Sequence, residues 1–285
     1  MNTNLGFKHI SLASMAIWLS IFALLPALML LLTSFLSQDN HQFVALPLSL
    51  DGYQRLFNPL YLEVFAHSLK MSAITTLFCL ILGYPFAQIL ASMPHKKRNL
   101  ALFLLILPFW TNSLIRTYAV KAVLATKGIL NKSLLTLGII DTPLRLVYTE
   151  SAVIIGLIYI LLPFMILPLY SVLEKQPQQL LEAARDLGAS RWQSFWRITV
   201  PLSMPGVIAG CLLVFLPAMG MFYTADLLGG AKNLLVGNLI KNQFLDANNW
   251  PFGASISVIL TLLMALLMYI YYRTSKAVGN KELQL

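Results

Sequence analysis

Six apolar runs, each near or above the roughly 20 residues needed to cross a bilayer, dictate the solvent this chain folds in. They cover approximately Ser11–Ser34, Phe65–Ala91, Leu100–Val120, Ser151–Leu173, Pro201–Ala225 and Pro251–Tyr272. Of the 285 residues, 58% are hydrophobic and 11% charged. A domain in water carries about 25% charged residues, so a globule could not hide these runs. In hydrocarbon a segment must satisfy its own backbone polar groups, and a helix does so. The expectation is an all-α, polytopic membrane protein of about six transmembrane helices, forming a single transmembrane domain over residues 1–285, without an internal repeat. The first run follows only Lys8 and lacks a small-residue cleavage site, so it reads as a retained span. The third is the least regular. Arg116 and Lys121 interrupt it, and it is expected to tilt or end early. Lys70, near one end of the second run, can snorkel to the interface.

Between the runs, basic residues set orientation. With both termini in the cytoplasm, the inner segments hold Lys8, Lys96-Lys97-Arg98, Lys175, Arg185, Arg191, Arg197, Arg273, Lys276 and Lys281. The outer ones hold Arg55, Arg116, Lys121, Lys127, Lys132, Arg145, Lys232 and Lys241. The bias is small, but the compact Lys96–Arg98 turn is the kind of short loop that decides topology. Outside, Asp51-Gly52 and Asn58-Pro59 read as turns. The Leu134–Ile140 patch is too short to span and should lie at the interface, and Leu234-Leu235-Val236 should tuck against the bundle. The net charge of +9 has no basic–aromatic clustering, so lipid headgroups are the expected partner and nucleic acid is not. Cys79 and Cys211 fall in apolar runs as core residues. His9, His41, His67 and His95 are scattered, which gives no metal site. Neither a phosphate-cradling G-x-x-x-x-G-K-[ST] loop nor a hydrolase motif is present, so the chain is not expected to be an enzyme or to bind a cofactor itself.

The most polar segment, Glu182-Ala183-Ala184-Arg185-Asp186-Leu187-Gly188-Ala189-Ser190, continues to Ile198-Thr199-Val200-Pro201. Pro177 suits a first helical position. Leu180, Ala184 and Leu187 recur at helical spacing, and Gly188 can take the left-handed conformation that ends a helix. Ser190 with Gln193 has the form of a capping box. The second helix should carry Trp192, Phe195, Trp196 and Thr199 on one face and close at Pro201. Periodicity alone allows an elbow resting on headgroups. The residue order allows more. Glu-Ala-Ala, three residues, glycine, nine residues, then Ile-x-Val-Pro resembles the EAA signature of type I ABC importer permeases, with Val200 where leucine is commoner. The resemblance implies that the loop at about 174–200 is a coupling helix docking on a separate ATPase, through Glu182, Ala183, Ala184, Arg185, Asp186 and Gly188.

Polar groups inside a membrane are costly and mark cavities or bundle interiors. Pro108–Ser113 breaks the third run with Phe109, Trp110, Thr111 and Asn112. Tyr159, Pro163, Phe164 and Met165 interrupt the fourth, and Pro217–Asp226, with Phe222 and Tyr223, ends the fifth. Aromatic faces beside a carboxylate suit an organic cation. Trp110, Asn112, Tyr159, Phe222, Tyr223 and Asp226 are therefore candidate path residues. Trp110 and Tyr223 could equally be interfacial anchors, and Asp226 could simply be solvated. Pro-Phe-Trp-Thr-Asn-Ser-Leu-Ile-Arg at 108–116, Leu-Leu-Pro-Phe-Met at 161–165 and Met-Phe-Tyr-Thr-Ala-Asp-Leu-Leu-Gly-Gly-Ala-Lys-Asn at 221–233 look like the permeases of ABC-type spermidine/putrescine importers. That resemblance implies a type I ABC importer permease fold in a bacterial inner membrane. It also implies a second homologous permease as heterodimer partner, two copies of a cytoplasmic ATPase holding ATP and Mg, and a periplasmic polyamine-binding protein. Three readings compete: an ABC permease for an inorganic anion or iron chelate, a cation-coupled secondary carrier, and a non-transporting scaffold.

Overall fold

A computed structural model describes residues 12–38 and 44–282. Lys8, His9 and His41 lie outside the described residues, as does the Ser11 start of the first run. The described chain is helical apart from one two-stranded hairpin. Five helices are long and apolar enough to span a membrane, or six if one bent pair counts as a span. They are α1 (Leu12–Thr33), α3 (Pro59–Ser92), α7 (Glu150–Leu173), α9 (Arg191–Gly220) and the membrane part, Trp250–Arg273, of α11 (Trp250–Glu282). The bent pair is His95–Trp110 with Ser113–Thr136, meeting at 95°. It contains α4 (His95–Ile106), α5 (Ser113–Leu124) and α6 (Ile129–Thr136). The short helices α2 (Asp51–Leu56), α8 (Gln178–Asp186) and α10 (Val236–Leu245) complete the set.

The third run is broken at Pro108–Ser113, where the sequence places the interruption, and its halves meet at the 95° bend. Pro108 has no N–H to continue the ladder. The chain tightens into a 3-10 turn over Leu107–Trp110, Thr111 swings to extended geometry, and Asn112 starts a new helix by accepting the Leu114 N–H at 2.8 Å. Arg116, placed by the sequence in an outer segment, lies inside α5, is 8% exposed and sits 5.2 Å from the Phe109 ring centroid. The fifth run ends at Gly220, before Ala225. Pro201 does not close a helix either. A π-turn over Phe195–Thr199 widens the coil just before it, and α9 runs through to Gly220. The wider turn relieves the i−4 clash that proline would otherwise cause. Asp51-Gly52 is not a turn, whereas Asn58-Pro59 does mark the turn between α2 and α3. Asp51 opens α2, and Asn58 Oδ1 accepts the Leu60 N–H at 3.0 Å as α3 begins.

Two compact units divide the chain. One comprises Met1–Leu62 and Leu239–Ala265. Within it, β1 (Leu36–Ser37) pairs antiparallel with β2 (Ala45–Leu48), and the Ser34 hydroxyl meets the Tyr53 hydroxyl at 2.6 Å. Ser255 donates to the Ser34 carbonyl at 3.1 Å, and the Tyr61 and Phe252 rings meet edge-on. Residues of α1 before Thr33 are exposed along their whole length, an apolar surface open to lipid or another chain.

The other unit comprises Glu63–Asn238 and Leu266–Leu285. Its core is the seam between α7 and α9, filled by Leu157, Leu161, Met165, Ile166, Leu169 and Val214. Small residues allow the backbones to approach closely. A Cβ added at Gly206 would meet the Pro168 carbonyl at 3.0 Å, and one at Gly210 would meet Met165 Sδ at 2.7 Å. Leu235 and Val236 are fully buried, as their tucked position in the sequence reading requires. Lys70 does not simply snorkel: its ammonium lies 3.4 Å from Glu150 Oε2.

Candidate functional site

The polar loop folds as a closed helix–turn–helix. Pro177 is the cap residue, not the first helical one, with ψ of 118°. At the far end of α8 the Gly188 N–H reaches the Arg185 carbonyl at 2.9 Å, and the Ala189 N–H reaches the Ala184 carbonyl at 2.9 Å. This paired closure needs a left-handed residue, and Gly188 supplies it with φ +80°. Nothing lies within 4 Å of a Cβ placed there. Conformation alone therefore calls for glycine, and the space beyond is open. The second helix starts with the expected reciprocal cap: Gln193 N–H to Ser190 Oγ at 3.2 Å, and Ser190 N–H to Gln193 Oε1 at 2.9 Å. The two helix ends that flank the turn are thus satisfied internally, which stiffens the corner of the elbow.

The elbow's outward face differs from the one periodicity picks. Ala184 is buried and Leu181 half-buried, whereas Leu180 is exposed and Leu187 is 89% exposed. Glu182, Ala183, Arg185, Asp186 and Gly188 are all exposed. Of the coupling residues expected from the sequence, only Ala184 faces inward. The aromatic face also divides. Phe195 and Thr199 turn toward the core, while Trp192 and Trp196 are exposed and meet each other edge-on at 5.6 Å.

Four contacts close the base of the elbow and tie it to neighbouring helices, and none is visible in residue spacing. Gln176 Nε2 donates to the Thr199 carbonyl at 3.1 Å, closing the loop across its base. Arg98, read from the sequence only as a topology signal, pairs with Glu174 at 3.0 Å. Tyr84, in the last third of α3, meets the Ser203 hydroxyl at 2.8 Å and the Phe195 ring edge-on at 5.6 Å. These contacts join the base of the elbow to α3 and α4, as well as to α7 and α9, with which it is continuous. Tyr84→Phe keeps the ring and removes one buried hydrogen bond. It should cost about 1 kcal/mol of stability, read as a lowered thermal unfolding midpoint in detergent.

The candidate path residues are spread over three elements. Trp110 ends the 3-10 turn and is 74% exposed. Asn112 is exposed, with its carbonyl oxygen committed to the α5 cap. Tyr159 lies on an exposed face of α7. Phe222, Tyr223 and Asp226 come together on the stretch after Gly220, where a helical turn Phe222–Thr224 runs into a π-turn Ala225–Gly229. The Phe222 and Tyr223 rings meet edge-on at 5.8 Å. Asp226 Oδ1 accepts from the Asn238 amide, which also donates to the Phe222 carbonyl at 2.9 Å and accepts the Leu235 N–H at 3.0 Å. Asp226 is thus held in a network, half-buried, rather than simply solvated. Pro163 and Met165 are buried in the core, while Phe164 meets Phe109 edge-on. Sequence reading missed Asn238 and Ser68, which receives the Val236 N–H at 2.9 Å. A polar side chain next to an apolar stretch was the available signal for both.

Residues 80–279 match the family described as binding-protein-dependent transport system inner membrane component. The chain is 61% identical over 264 residues to the spermidine/putrescine transport system permease protein PotB of Escherichia coli (strain K12), covering 93% of this chain and 96% of that protein. Against the protein of the same name from Haemophilus influenzae it is 57% identical over 278 residues, covering 98% and 97%. Among solved structures, a chain of a bacterial alginate ABC transporter, crystallised with its alginate pentasaccharide-bound periplasmic protein, superposes with a TM-score of 0.78. At 18% identity, covering 95% of this chain and 94% of that one, this likeness concerns the fold.

Proposed function

The chain belongs to the binding-protein-dependent transport system inner membrane components, and we propose that within this family it is a permease subunit of an ATP-driven polyamine importer. The substrate class is supported by near full-length identity with the two spermidine/putrescine permeases. The observation that carries the mechanism is the elbow, a helix–turn–helix closed at its corner, tied at its base to α3 and α4, and presenting Glu182, Arg185, Asp186 and Leu187 outward.

In this reading the elbow, over about 174–200, faces the cytoplasm and seats on a separate ATPase, two copies of which bind ATP and Mg. Both termini are cytoplasmic. A second, homologous permease completes the path, and a periplasmic binding protein delivers the polyamine. Residues 1–285 act as one permease domain. ATP binding draws the two elbows together, and Gln176, Glu174 and Tyr84 pass the movement to the spans. The drive is the difference in elbow contacts between the two ATPase states, because only a differential interaction shifts a conformational equilibrium. Substrate amines pass Trp110, Asn112, Tyr159, Phe222, Tyr223 and Asp226, where ring faces and a carboxylate offset lost hydration.

The test is reconstitution of the full complex in vesicles, scoring labelled spermidine entry with and without ATP. ATP-dependent entry supports the reading; entry that instead follows an ion gradient without the ATPase refutes it. Asp226→Asn keeps an acceptor for Asn238 and removes the charge. Uptake should fall at least about 5-fold, in line with a lost charge-assisted contact. An anion path would tolerate the change.

A further inference from the structure

Two lysine ammonium groups sit at the start of α7. Glu150 opens that helix, with Thr149 as cap. Lys70 Nζ lies 3.4 Å from Glu150 Oε2, and His67 Nδ1 lies 3.8 Å from Oε1. Two residues earlier, Lys121 Nζ stands 5.2 Å from the Tyr148 ring centroid. A ring face and a carboxylate, each already holding a primary alkylammonium, thus lie two residues apart. Their Cα atoms can be no more than about 7 Å apart.

Tyr148 is held in a conformation it would not choose. Its φ is +68°, uncommon for a bulky residue. Its N–H is tied to the Leu228 carbonyl at 2.6 Å, and a Cβ added at Gly230 would meet its ring at 3.0 Å. Backbone strain of this kind persists only where the surroundings enforce it, and it clusters at ligand clamps. The ring held in this way is 60% exposed.

We propose that Tyr148 and Glu150 form a binding site for primary ammonium groups, in which Lys121 and Lys70 are tethered place-holders that an incoming polyamine displaces. The inference rests on the polyamine reading and adds to it a site outside the path residues. Lys70 and Glu150 are both substantially exposed, with side-chain exposures of 59% and 45%. Pairs this open hold weakly, so displacement by a free amine is easy. A multivalent amine gains over a lysine by occupying ring and carboxylate at once. While the lysines are in place the site is only partly available, and apparent affinity is lowered by that fraction.

The experiment measures equilibrium binding of radiolabelled spermidine to the assembled importer in vesicles, with the periplasmic binding protein left out. Glu150→Gln should weaken binding about 5-fold or more, and Tyr148→Leu about 3-fold. Lys70→Met should tighten it about 3-fold, because the competitor is gone. A purely structural ion pair gives the opposite sign for Lys70→Met, and a misfolded variant cannot bind more tightly. Unchanged or weakened binding in Lys70→Met, unchanged binding in Glu150→Gln, or no binding by the wild-type complex overturns the inference. ATP-driven spermidine uptake by the wild-type complex with its binding protein is scored in parallel. If that uptake occurs while the variants bind as wild type, only this site is wrong. If it does not occur, the polyamine reading fails and this site falls with it.

Discussion

Glu182→Lys is expected to reduce ATP-driven uptake at least about 10-fold while the protein still inserts and folds. Glu182 is exposed on α8, and its side chain makes no hydrogen bond or ion pair among the described residues. The substitution leaves the Gly188 closure and the Ser190 cap in place, so the elbow keeps its shape. What changes is the charge offered to a docking partner, and like-charge juxtaposition at an interface costs several kcal/mol. Gly188→Trp reaches the same end by another route. It forces a side chain into a residue with φ +80° and projects an indole into the open space beyond. Uptake in vesicles, corrected for the amount of inserted protein, is the measurement. Normal uptake in either variant would remove the elbow from the mechanism.

Gly210→Leu should destabilise the chain by about 3 kcal/mol, at the upper end of the range for an overpacked core. A single Cβ at this position already meets Met165 Sδ at 2.7 Å and the Met165 carbonyl at 3.1 Å. A flexible thioether can move aside, but the backbone carbonyl of α7 cannot. The added isobutyl group would wedge α7 from α9 along the main packing seam of the unit. Gly220→Ala is the comparison: nothing lies within 4 Å of a Cβ there, so its effect should stay within about 0.5 kcal/mol. Denaturant titration in mixed micelles separates the two. Equal stabilities would mean that the seam is not closely packed.

Features written in local chemistry were legible in the sequence. Gly188 announced a helix end because few other residues accept positive φ, and Ser190 with Gln193 announced a cap because the two reciprocal bonds span only three residues. The apolar runs placed four of the six spans to within about six residues at each end, while α9 begins well ahead of its run, at Arg191. Pro201 was misread because a proline lacks the N–H that continues a helix. The π-turn at Phe195–Thr199 that accommodates it depends on packing around Phe195 and leaves no composition signal. The break at Pro108 was visible, but the 95° bend was not, since local signals fix where a helix stops and not where the next one points. Gln176 to Thr199, Tyr84 to Ser203 and Lys70 to Glu150 escaped for one reason. Each joins residues far apart on the chain, and periodicity carries no information about pairs. The exposure of Leu187 was also hidden, because spacing put it on the apolar stripe and the turn at Gly188 carried it outward.

The central claim is that a separate ATPase grips the elbow. The direct measurement is thiol cross-linking in the assembled importer, with a cysteine placed by Asp186→Cys and another in the ATPase cleft facing it. The native Cys79 and Cys211 lie in the spans and are replaced beforehand. A cross-link whose yield changes when ATP is added is the predicted result. An elbow that forms no cross-link in the intact complex, or that reacts instead with a membrane-impermeant thiol reagent applied from outside the cell, would contradict it.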